Sequence, residues 1–113
     1  MSITDTFDRN GEEIIKARNN VRMIENFPTT LLVVFSAKLC KLFLSKYDAT
    51  QIGALFAGGQ EFPIYRFEYR GMKLGFFHTV LGGAGSAALL EELIALGAEN
   101  LLYFGSCGAL HRE

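Results

Sequence analysis

Residues 81–110 read LGGAGSAALLEELIALGAENLLYFGSCGAL, and no other segment carries a clearer architectural signal. Gly82, Gly83 and Gly85 make a loop, and Ser86 is placed to cap the helix that follows. Leu89, Leu90, Leu93 and Ile94 define one apolar face of that helix, with Glu91 and Glu92 on its solvated flank. Gly97 is a natural helix stop. Asn100 to Phe104 then reads as a buried strand ending at Gly105. A strand, a glycine loop, a helix and a second strand make a crossover unit, for which a right-handed connection is expected.

Upstream of this unit the pattern continues in the same style. Thr29 to Ser36 (TTLLVVFS) is an unbroken β-branched and aliphatic run, as in a strand covered on both faces. Lys38 to Tyr47 spaces Leu39, Leu42, Phe43 and Tyr47 at helical intervals between Lys38, Lys41 and Lys46, which predicts an amphipathic helix. Gln51 to Ala57 is a second apolar run, closed by Gly58-Gly59. Phe62 to Tyr69 and Met72 to Val80, joined at Arg70-Gly71, predict a hairpin whose Arg66 and Glu68 side is the wetter one. The fold class expected is α/β, a central mixed sheet with flanking helices. Residues 1–27 read as a polar surface arm in which Asp8 or Asn10 starts a short helix through Glu12–Ile15, and residues 28–113 as the α/β unit.

Composition narrows the function classes. The chain has 113 residues, enough for one small domain, with half of them hydrophobic and 20% charged, an ordinary globular balance. A formal net charge of -1 gives no electrostatic footprint for nucleic acid or an anionic membrane, so neither partner is expected. The longest apolar run, Leu31 to Phe35, falls far short of the roughly 20 residues that span a bilayer. Residues 1–20 carry charges throughout and lack the apolar centre of a secretion signal. Cys40 and Cys107 stand far apart and in no metal-ligand spacing, which predicts reduced thiols, a cytoplasmic location and no metal site.

Two segments suit ligand chemistry. The glycines at 82–85 leave amide N–H groups bare at a helix N-terminus, which suits a phosphate or a ribose hydroxyl; a tight turn required by packing is the plainer reading. Gly83 to Ala88 also fits a dinucleotide fingerprint. The acid that should close the next strand to hold a ribose is absent from positions 103–108, which argues against a nicotinamide cofactor. Gly105-Ser106-Cys107-Gly108 exposes a hydroxyl and several amides where a strand ends. Cys107 reads better as a buried structural thiol than as a nucleophile, because His111 has no clear activating role. His78, inside a strand, reads first as a packed histidine, with a functional role kept open by its place near the glycine loop.

Gly82-Gly83, then AALLEELIALGA, then a short strand and GSCGAL together resemble the nucleoside phosphorylase family, which includes uridine and purine nucleoside phosphorylases. The resemblance covers about residues 28–110, is specific over 81–110, and corresponds to the N-terminal half of that family's domain. It implies phosphorolysis of a nucleoside N-glycosidic bond to a free base and pentose 1-phosphate, with inorganic phosphate as co-substrate and no cofactor. It also implies a homo-oligomer. Ser106 matches the family's phosphate-contacting Ser/Thr, with Gly105 beside it; Thr79, Gly82 and Gly83 match the loop bordering sugar and phosphate. Cys107 and Gly108 would lie beside base and ribose.

The sequence also departs from the family. Tyr103 stands where an arginine usually binds phosphate, and Phe35-Ser36-Ala37-Lys38 replaces a Gly-Asp-Pro loop, with Cys40 near a second expected arginine. Lys38 or Lys41 would be substitutes without bidentate geometry. The Met-Glu pair that grips ribose and the acid that assists the leaving base belong to the later half, outside residues 1–113. A phosphate-independent nucleosidase and a non-catalytic nucleoside-binding remnant are therefore the alternatives.

Overall fold

The computed structural model describes residues 8 and 10–111. In chain order the elements are α1 (Ala17–Asn20), β1 (Thr30–Val34), α2 (Ala37–Lys46), β2 (Thr50–Ala57), β3 (Gln60–Tyr69), β4 (Met72–His78), α3 (Gly83–Leu96) and β5 (Asn100–Phe104). The strands form one sheet in the order β2-β3-β4-β1-β5. β1 pairs in parallel with both β4 and β5, and β3 runs antiparallel to β2 and β4. This is the expected mixed α/β sheet, with β3–β4 as the expected hairpin.

The side-chain alternation of β1 divides the core. Leu31 and Val33, fully buried, join Ile64, Phe77 and the α3 residues Leu89, Leu93 and Leu96 on one face. Val34 joins Phe67 and Phe76 on the other face, beneath Phe43 and Leu39 of α2. The Phe43 and Phe76 rings stack with centroids 4.0 Å apart. Burial of these aliphatic and aromatic groups on both faces is what stabilises a parallel sheet.

Several local expectations are corrected. Ser86 is not the cap of α3; Gly82 is, at φ 103, and Ser86 lies in the first turn with its amide donating to Gly82 O at 3.0 Å. A positive φ of that size suits glycine alone, so the backbone and not a hydroxyl begins the helix. Ile94 is turned outward, 51% exposed, and Leu96 takes its place in the core. Glu92 is half-buried rather than solvated. In α2, Leu42 points outward, whereas Cys40 and Leu44 pack inward. β5 is an edge strand: Leu101 and Tyr103 pack on the core, but Leu102 and Phe104, on the α2 side of the sheet, are 65% and 59% exposed.

The expected helix at Glu12–Ile15 is absent. Asp8 instead accepts from the Asn10 amide through Oδ1 at 2.9 Å, making a turn, and among the described residues of this region the only helix is α1. Beyond it, Val21, Ile24 and Phe27 pack against the α3-side core.

Gly75 fixes the approach of β1 to β4. A Cβ at Gly75 would lie 2.5 Å from Leu31 Cγ and 2.9 Å from Pro28 Cγ. Gly75→Ala is therefore expected to cost about 1–3 kcal/mol in urea unfolding. Gly83→Ala, whose Cβ meets nothing within 4 Å, should stay within about 0.5 kcal/mol. A Gly75→Ala protein as stable as the parent would contradict the Leu31–Gly75 register.

Candidate functional site

Three strands end at one level. Val34 is the register partner of His78 on β4 and of Phe104 on β5. The Thr79 amide continues the ladder by donating to Val34 O at 2.9 Å. The segments that follow β1, β4 and β5 thus leave the sheet side by side, at the carboxyl edge where open α/β sheets bind ligands.

A cleft of about 530 Å³ opens at this edge. Phe35, Leu39, Leu81 and Phe104 form its apolar walls, and Ser36, Gly105 and Ser106 supply its polar groups. Among the described residues, none that lines it is charged. Ser36 also caps α2, accepting from the Leu39 amide at 3.2 Å, so its own O–H stays available to donate. Gly105 lies against the Phe35 ring, which would stand 3.1 Å from a Cβ there.

The residues singled out from sequence are distributed around this cleft rather than all within it. Gly105 and Ser106 line it. Gly82 and Gly83 begin α3 just past Leu81, exposed, with no acidic residue in the first turn and no side-chain cap, so the helix presents bare N–H groups and the positive end of its dipole. Thr79 is buried, and its Oγ1 has no hydrogen-bond partner among the described residues. Cys107 and Gly108 lie beyond the lining and are exposed. The reading of Cys107 as a buried thiol is thus corrected: after Phe104 the chain leaves the sheet and residues 105–111 are exposed. It is Cys40 that is half-buried, and burial pushes its thiol pKa up. Lys38 and Lys41 are exposed on α2 and do not line the cleft.

Sequence reasoning missed the apolar walls, because they come from three separate segments. It also missed two tethers. His78 Nε2 lies 3.1 Å from Phe35 O, joining the end of β4 to the residue after β1. Tyr103 packs its ring against Phe35, centroids 5.8 Å apart; burial raises its phenol pKa, and the Ser86 side chain acts in the opposite direction. Tyr103 therefore links β5 to Phe35, and brings no positive charge.

A larger cleft, about 880 Å³, lies on the other side of the sheet's order, between residues 21–25, β2 and α3, with Glu61 and Glu92 in its lining. Among the described residues no three His, Cys, Asp or Glu side chains are grouped to hold a metal ion, and no helix is long and apolar enough to cross a membrane.

The fold matches that of a uridine phosphorylase from Vibrio fischeri ES114, with a TM-score of 0.61 at 19% identity. The match covers 74% of this chain and 34% of that one, so the chain spans about a third of the enzyme's length. The architecture is thus nucleoside phosphorylase-like. No family model matches the sequence, and no curated protein matches it.

Burial raises the carboxyl pKa of Glu92, so the folded state holds that proton more tightly than the unfolded chain does. The protonated group's stabilising contribution is present at low pH and is lost as pH rises through the carboxylate range. Glu92→Gln is expected to melt at a higher temperature than the parent at pH 7, with the difference shrinking towards about pH 4. A difference that grew on acidification would contradict the burial of this carboxyl.

Proposed function

We propose that the carboxyl-edge cleft is the sugar-side portion of a nucleoside site, and that the reaction it serves is transfer of the pentose from the nucleoside base to inorganic phosphate. The observation that carries this reading is the convergence of Gly105-Ser106, Phe35-Ser36 and Leu81, the residue just before Gly82 and Gly83, on one cleft of a phosphorylase-like sheet. The C1′–N bond would break with its electron pair leaving on the base, and a phosphate oxygen would form the new bond to C1′. Phosphate is then a co-substrate and no cofactor is needed. Assembly into a homo-oligomer belongs to the same proposal.

Each side chain has a definite part in this reading. The Ser106 and Ser36 hydroxyls donate to ligand oxygens. Phe35, Leu39, Leu81 and Phe104 hold the apolar surface of the ligand and exclude water. The bare N-terminus of α3 favours the negative charge that develops or arrives beside Gly82 and Gly83. Cys107 and Gly108 border the base side. Bond cleavage also needs protonation or hydrogen bonding at the leaving base, and among the described residues no cleft-lining side chain is an acid.

Tyr103 favours a second reading. A phenol whose ring packs on Phe35, in the place of a phosphate-binding guanidinium, suits cleavage by water or binding alone better than phosphorolysis. Incubating the protein with uridine and inosine, with and without phosphate, separates these outcomes by chromatography of the free base. Phosphorolysis predicts phosphate-dependent release, the hydrolytic reading predicts equal release in both, and saturable binding without release makes the chain a binding module. Absence of both binding and release would remove the nucleoside reading. Ser106→Ala is expected to weaken nucleoside binding about fivefold, the effect of one hydrogen bond of about 1 kcal/mol.

A further inference from the structure

We propose that His78 is the positioning residue of this cleft: a latch from β4 that holds Phe35 as its inner wall. The ligand-binding consequence rests on the nucleoside reading above, whereas the latch itself rests on geometry alone. His78 is the last residue of β4 and is half-buried. Its Nε2 stands 3.1 Å from the carbonyl oxygen of Phe35, 43 residues away in sequence. A carbonyl can only accept, so Nε2 carries the proton and donates, in the neutral as in the cationic ring.

Phe35 needs such a restraint. It is the first residue past β1, where the regular ladder has ended. Its ring packs on Tyr103 at 5.8 Å and lies so close to Gly105 that a Cβ there would be 3.1 Å away. The position of Phe35 therefore sets the space between the end of β1 and the Gly105-Ser106 segment. The next residue, Ser36, is fixed independently by accepting from the Leu39 amide at 3.2 Å. The β1–α2 connection is thus pinned on one side by its helix cap and on the other by His78. Released from His78, the Phe35 carbonyl loses its restraint towards β4, and the wall that faces Ser106 shifts with it.

The test uses the full 113-residue chain, with uridine as probe and amide hydrogen exchange as a ligand-free readout. Gln places its amide nitrogen near the position of Nε2, whereas Asn falls short of it and Leu donates nothing. In His78→Asn and His78→Leu, exchange over residues 35–38 should quicken about fivefold, and uridine should bind about fivefold more weakly, the loss of one hydrogen bond. His78→Gln should return both values to within about twofold of the parent. If the Leu protein does not fold, the Asn–Gln pair carries the comparison. Equal exchange and binding in Asn and Gln would overturn the latch, as would unchanged exchange in both Asn and Leu. A parent that fails to bind uridine while exchange follows the expected order would support the latch and sink the nucleoside reading.

Discussion

β1 is hydrogen-bonded in parallel on both sides, and its two registers coincide at Val34. Parallel pairing makes neighbouring strands point the same way, so the ends of β4, β1 and β5 must emerge at one edge. Antiparallel pairing on either side would have sent one of these loops to the opposite end of the sheet. The same arrangement demands cover on both faces. α2 and α3 supply it through Phe43 and Leu39 on one side and Leu89, Leu93 and Leu96 on the other. Site placement and core packing are therefore two results of one pairing pattern.

Much of this was legible in the sequence, for local reasons. The Thr29–Ser36 run has no polar alternation, and a strand buried on both faces is what such a run forms. The 83–96 helix carries its periodicity within itself, and the 60–78 hairpin carries its turn at Arg70-Gly71, both of which adopt positive φ. That Gly105 and Ser106 lie where a strand ends was legible because a strand followed by glycine and a hydroxyl is a contiguous signal, and both line the cleft.

The misreadings have non-local causes. Asn100–Phe104 is as apolar as a central strand, but whether a strand lies at an edge depends on what pairs beyond it, and Leu102 and Phe104 carry no mark of that. Ser86 looked like a cap because residue type was judged without φ, and Gly82 had already made the turn. The cleft walls were invisible for a third reason. Phe35, Leu81 and Phe104 stand 46 and 23 positions apart in the chain (81 − 35 and 104 − 81), and only the shared register at Val34 brings their strands' ends together. Each alone is an ordinary hydrophobic residue at the end of a strand or in a loop.

The absence of charge among the described lining residues of the cleft has an electrostatic consequence that the fold alone does not dictate. On the proposed function, a phosphate dianion entering it would give up hydration and receive in return, among the described lining residues, only neutral side-chain donors, the Ser36 and Ser106 hydroxyls. A nucleoside would give up far less, since it is uncharged and would offer both ring surface for Phe35 and Phe104 and hydroxyls for the serines. A guanidinium at position 103 would reverse that balance, because it pairs with phosphate through two parallel hydrogen bonds. Tyr103 instead spends its ring on Phe35, in the same contact network that His78 anchors from β4. On the proposed function, the contact that Tyr103 makes with Phe35 in support of the cleft wall is thus also what leaves that position without a positive charge.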